Sequence, residues 1–178
     1  KRILTGLLVI VAIAAIIPMF LASSVKSENS IVINAPAENA YELIANFKNW
    51  NRWSAWNKMD PDMKIVYGGP DVGAGSWYTW DSKNENLGNG KATIESEAHN
   101  DSIRVKLEFM GGGMPAYATY KFKKEGTGVK ITCTFTANMG YFMRFFSGMF
   151  EKEVNSKTAE GFVFMKTICE EGPKKTTY

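Results

Sequence analysis

Between Met63 and Ala137 the chain alternates apolar and polar residues in one short stretch after another, and glycine- and asparagine-rich turns separate the stretches. Only an antiparallel sheet with one buried face satisfies so many period-two segments in succession. In "SIRVKLEF" Ile103, Val105, Leu107 and Phe109 point one way while Arg104, Lys106 and Glu108 point the other, so a slip of one residue would expose the whole apolar set. "MKIVYGG" ends at a Gly-Gly-Pro turn, and "SWYTWDS" sets Tyr78 and Trp80 on one face against Trp77 and Thr79. In "GKATIESEA" the alternates Ala92, Ile94, Ser96 and Ala98 oppose Thr93, Glu95 and Glu97, which makes the two glutamates solvent residues. "AYATYKFKK" and "GVKITCTFTA" form a hairpin around "EGTG", with Tyr120, Phe122, Ile131, Cys133 and Phe135 inward. With "SIVINAP" as an opening strand, about seven strands are expected.

Helices flank this sheet. Pro36 suits the first turn of "AENAYELIANF", whose apolar side is Ala40, Leu43, Ile44 and Phe47. "NFKNWNRWSAWNK" follows, with tryptophans at 50, 53 and 56, a spacing that keeps the indoles on one side of a helical turn. They plug the core or close an apolar pocket. A helical region from Met139 to Glu171 ends the fold: it opens on the nearly all-apolar "GYFMRFFSGMF", passes through a polar middle, and regains an apolar stripe at Phe162, Met165, Ile168 and Cys169.

Ile3 to Ala22 is a 20-residue stretch without a charge. As a helix it would cover roughly 30 Å, the hydrocarbon thickness of a bilayer. The expectation is a single-pass anchor over 1–24, with Lys1 and Arg2 on the cytoplasmic side and the folded part extracytoplasmic, periplasmic in a Gram-negative source. A cleavable signal with small residues Ala22 and Ser24 at its processing site is the alternative. Residues 25–29, "VKSEN", then form a linker, 30–172 the domain and 173–178 a tail.

The 178 residues, 45% hydrophobic, suit one folded domain. The net charge of +3 with dispersed lysines excludes a nucleic-acid footprint. Two distant cysteines and one histidine match no metal spacing, and no cofactor motif is present: "GGPDVGAGSWYTW" and "GGGMP" lead into strands, whereas a phosphate-cradling loop leads into a helix. His99 lies in a polar turn and Cys133 on an apolar face, so no catalytic residue is assigned. Whether Cys133 pairs with Cys169 stays open.

A strand, two small helices, a run of antiparallel strands and a long last helix resemble the helix-grip fold of the SRPBCC (START/Bet v 1-like) superfamily, in its polyketide cyclase/dehydrase and lipid transport branch. "INAPAENAYELIANFKNWNRWSAW", "VYGGPDVGAGSWYTWDS", "LGNGKATIESE", "GTGVKITCTFTA" and "AEGFVFMKTICE" carry the resemblance, from Ser30 to Glu170. It implies an α+β fold in which a curved sheet wraps the last helix around an apolar cavity. Trp53, Trp56, Tyr78, Trp80 and Leu107 would then line that cavity with Phe109, Tyr120, Phe135 and Met165, around an apolar small molecule or lipid.

Three functions remain open: membrane-tethered binding of such a ligand, an accessory subunit with a filled core docking on an integral membrane protein, and a cyclase- or hydrolase-type enzyme. The segment "GYFMRFFSGMF" carries more apolar side chains than one helix face can bury. Phe142, Arg144, Phe145, Phe146, Met149 and Phe150 are therefore expected to touch a membrane or a membrane-embedded partner.

Overall fold

The computed structural model describes residues 3, 6, 15–109 and 114–171. Seven antiparallel strands form one curved sheet: β1 (Ser24–Ile33), β2 (Lys64–Gly68), β3 (Trp77–Asp81), β4 (Asn89–Ala98), β5 (Ser102–Phe109), β6 (Met114–Glu125) and β7 (Gly128–Asn138). Their spatial order is β1-β7-β6-β5-β4-β3-β2, so strands two to seven are a plain meander and the first strand closes against the last. Three short helices, α1 (Ala37–Ala45), α2 (Trp50–Trp53) and α3 (Ala55–Lys58), carry the chain from the β1 edge to the β2 edge. The long helix α4 (Ser147–Glu171) lies across the inner face and packs most extensively on β1.

The β6–β7 hairpin turns at Gly126 and Thr127, where Gly126 holds a φ of 58° that a residue with a Cβ rarely adopts. Several inward positions on the central strands are closed off completely, among them Ile94, Ile103, Val105 and Ile131, each at 0% exposure. That burial is the apolar alternation of the sequence made physical.

Three expectations need correction. The supposed linker 25–29 is strand: β1 starts at Ser24, Val25 pairs with Ala137 and is buried, and the pairing continues without a break to Ile33. The polar letters of "VKSEN" misled because β1 is an edge strand whose outward residues face water. Glu97 is exposed, as expected, but it is not on the outer face. A register shift between Ile94 and Ser96 inserts one residue, so Glu97 pairs with the inward Ile103 while Glu95 stays outward beside Arg104. Glu97 thereby accepts from the Tyr41 hydroxyl at 2.5 Å and from the Ala74 amide at 3.0 Å, tying α1 to the loop before β3. The last helical region does not begin at Met139: Phe142–Phe146 is a 3-10 helix, and regular helix starts only at Ser147. The cysteine question, open in the sequence, has an answer: Cys133 and Cys169 are both free and buried.

Among the described residues no helix is long and apolar enough to cross a membrane. Half of Ile3 to Ala22 lies outside the described residues, as do the tail and the glycines at 111–113; within the described part, Ile17–Met19 is a 3-10 turn leading into β1.

Candidate functional site: the apolar inner face

The interior begins with how α1 ends. The last four carbonyls of a helix have no partner within it. Here all four are taken by groups from outside the helix: Asn49 Nδ2 donates to Glu42 O at 3.1 Å, Trp53 Nε1 to Leu43 O at 2.9 Å, Trp50 Nε1 to Ile44 O at 3.0 Å, and the Gly73 amide to Ala45 O at 3.0 Å. Two of the three clustered tryptophans are therefore the C-terminal cap of α1, and their spacing of three brings both indole N–H groups to successive carbonyls. Their rings then continue inward as an aromatic series, Trp50 edge-on to Tyr78 and Trp53 to Tyr120, with Tyr78 tilted against Trp80 and Trp80 edge-on to Phe109.

Opposite this series, α4 is fastened to β1 along one side. Ser27 Oγ donates to Asn155 Oδ1 at 2.6 Å and Asn29 Nδ2 to the same oxygen at 3.0 Å; further along, Lys166 Nζ donates to Val32 O, and the Asn34 amide to Glu170, which holds that carboxyl below its ordinary range. On the other side Gly161 lets the helix approach α2 closely, since a Cβ there would lie 3.2 Å from the Trp53 carbonyl oxygen. Phe162 and Met165 enter the core between these two seams. Sequence reasoning missed the Ser27–Asn29–Asn155 cluster; its residues stand in stretches whose polar letters look like solvent faces.

The nine residues expected to line a cavity divide by depth. Trp53, Tyr78, Trp80, Tyr120, Phe135 and Met165 are buried and packed together. Trp56, Leu107 and Phe109 are only partly buried against that core, and Phe150 joins them from α4 with its ring 6.0 Å from Phe135. The middle of the interior is thus filled with aromatic rings, and the incompletely covered apolar surface lies where β5 ends and α4 begins. Two pockets, of about 180 and 160 Å³, lie away from this surface: one beside the Lys48–Asp71 ion pair, the other over the outer face of β1, β6 and β7.

The interior is poor in ionisable chemistry. Burial pushes the Cys133 thiol up to about 12 against an ordinary value of 9.0, with a hydrogen bond from Tyr120 opposing it; burial also raises the Tyr78 and Tyr120 phenols. Because the folded protein keeps protons that the unfolded chain would release, the associated stability is present below pH 9.0 and is lost as pH rises toward 12. Urea unfolding midpoints should hold from pH 7 to about pH 8.5 and then fall from pH 9 to pH 11, and a flat profile would contradict a closed aromatic interior. His99 is exposed, 3.2 Å from Glu38 and edge-on to Tyr41, far in the fold from the partly covered surface. Among the described residues no three His, Cys, Asp or Glu side chains converge so as to hold a metal ion.

A family model described as polyketide cyclase/dehydrase and lipid transport matches residues 24–167, from the first residue of β1 to near the end of α4. The chain belongs to this family. Its start at residue 24 agrees with β1 beginning there. Solved structures with the same fold include the Aha1 dimer from Colwellia psychrerythraea (14% identity, TM-score 0.59, covering 82% of this chain and 96% of that one). Another is the KanY protein (18%, TM-score 0.60, 85% and 100%). A third is the di-domain ARO/CYC BexL from the BE-7585A biosynthetic pathway (13%, TM-score 0.61, 85% of this chain and 52% of that one). No curated protein sequence matched. At these identities the neighbours show the helix-grip fold alone, and the family match bears out the polyketide cyclase/dehydrase and lipid transport part of the resemblance.

Proposed function

We propose that this protein binds an apolar or amphipathic small molecule, lipid included, while tethered to a membrane by Ile3 to Ala22 with its domain extracytoplasmic. The observation that carries the binding is Leu107 and Phe109: both lie on the inner face of the sheet, yet they are only partly buried, as are Trp56 and Phe150. Apolar surface on an inner face that its own helix does not seal gains from a ligand that removes it from water. The aromatic series ending at Phe109 forms the floor, Trp56 and Phe150 the rim, and the mechanism is desolvation without bond chemistry. The family's description and the ARO/CYC neighbour favour a hydrophobic ligand. The tether rests on the length and composition of the apolar stretch alone.

The test uses the fluorescent polyene fatty acid cis-parinaric acid with the full chain in mild detergent. Phe109→Ala should weaken its binding about tenfold, as expected from losing one to two kcal/mol of apolar burial. Trp77→Ala, on the opposite face beneath Lys91, should leave it unchanged. Equal effects of the two substitutions, or no binding by the unmutated protein, would reject the site.

A further inference from the structure

The 3-10 helix Phe142–Phe146 has no buried residue. With three residues per turn, Phe142 stacks over Phe145 and Met143 over Phe146, so apolar side chains face outward all round and one packed face cannot cover them. Phe142 is 70% exposed and Met149, on the first turn of α4, 68%. Against this helix sits the end of the N-terminal apolar stretch: Tyr141 donates its hydroxyl to Ala15 O, and Arg144 Nη1 donates to Pro18 O at 3.1 Å. Met19 and Phe20 stand exposed beside these contacts at 67% and 84%. Two segments more than a hundred residues apart in sequence therefore make one apolar surface.

Its charge pattern is one-sided. Residues 3–24 and 139–150 contain no carboxylate, and Arg144 is their only charge. Its guanidinium lies over the Tyr141 ring at 5.5 Å, and its Nε is buried without a hydrogen-bond partner. The surface is also continuous with the candidate site: Phe150, one turn beyond Phe146, reaches Phe135 inside.

We propose that this composite surface lies in the interfacial layer of a lipid bilayer, so that the partly covered end of the inner face opens toward the acyl chains. The lipid occupant follows from three features of the molecule. The surface is continuous with a 20-residue uncharged stretch long enough to cross the hydrocarbon layer. An exposed apolar area rich in Phe and Met, with Tyr and Arg at its margin, matches the interfacial zone. Its positive charge without a carboxylate suits anionic headgroups. The inference rests on the tether proposed above and adds orientation and a route for ligand entry.

The native cysteines are buried, so single exposed cysteines can be labelled with the environment-sensitive dye NBD at Phe142→Cys, Met149→Cys and, as control, Val163→Cys, whose native side chain is 58% exposed further along α4. The full chain is reconstituted into phosphatidylcholine vesicles containing a minority of phosphatidylglycerol. The Phe142 and Met149 probes should shift to the blue and lose emission when nitroxide-labelled lipid is present, while the Val163 probe does neither. Water-like spectra at Phe142 and Met149 in a chain that stays with the vesicles through carbonate washing would overturn the orientation and leave the tether standing. A chain washed off by carbonate would remove the tether with it. A blue shift that depends on protein concentration and not on lipid nitroxides would mean that a second copy covers the surface, which also overturns the proposal.

Discussion

Trp53→Ala is expected to lower the unfolding free energy by about 3–5 kcal/mol, the range for removing a large aromatic from a core. The ring is 4% exposed, packs edge-on to Tyr120, and its N–H satisfies Leu43 O at the end of α1. Trp53→Phe separates these contributions: it keeps most of the apolar volume but leaves a buried carbonyl without its partner, which costs about 1–3 kcal/mol. Trp56→Ala, from a partly buried position with no such bond, should cost less than either and act on ligand binding instead. Urea denaturation of the three variants measures this. Equal losses at 53 and 56 would mean that the capping role assigned to Trp53 is wrong.

The second large effect is expected at Phe162, which is 1% exposed. Phe162→Ala should also cost about 3–5 kcal/mol, because a cavity in a packed interior collapses only in part. Position matters here as much as size. Gly161 brings α4 against the Trp53 carbonyl and the Asn155 and Lys166 bonds fix its other side to β1, so the helix cannot slide to fill the space. A thermal or urea measurement giving less than about 1 kcal/mol would indicate a helix free to repack, contrary to two fastened seams.

The sheet was legible because its central strands obey a strict alternation that only one register buries, as "SIRVKLEF" illustrates. The β4 bulge was not, since a single inserted residue leaves no mark in composition: Glu95 and Glu97 look alike in the sequence and end on opposite faces. The start of β1 was hidden for a different reason. An edge strand shows polar letters outward, and in "SVKSENSIVI" the buried Val25 and Ser27 are too few and too mixed to announce a strand. The tryptophan cluster is a single aromatic surface in the sequence, and it divides into two helix-capping indoles and one partly buried ring because hydrogen-bond partners depend on where α1 ends. The exposure of Phe142, Phe145, Phe146 and Met149 followed from simple counting of apolar side chains, whereas Arg144 turns toward Pro18 and Phe150 partly inward.

Ligand capture at the uncovered end of the inner face is tested most directly by native mass spectrometry of the full chain released from detergent, for the unmutated protein and for Leu107→Lys, with circular dichroism to confirm folding. Leu107 is partly buried, so its replacement places a charge on the proposed floor without emptying the aromatic centre. The expected result is an apolar molecule retained by the unmutated protein, or taken up from added fatty acid, and absent from a folded Leu107→Lys variant. The same uptake by both proteins, or none by the unmutated protein, would contradict the assignment of this surface as a binding site.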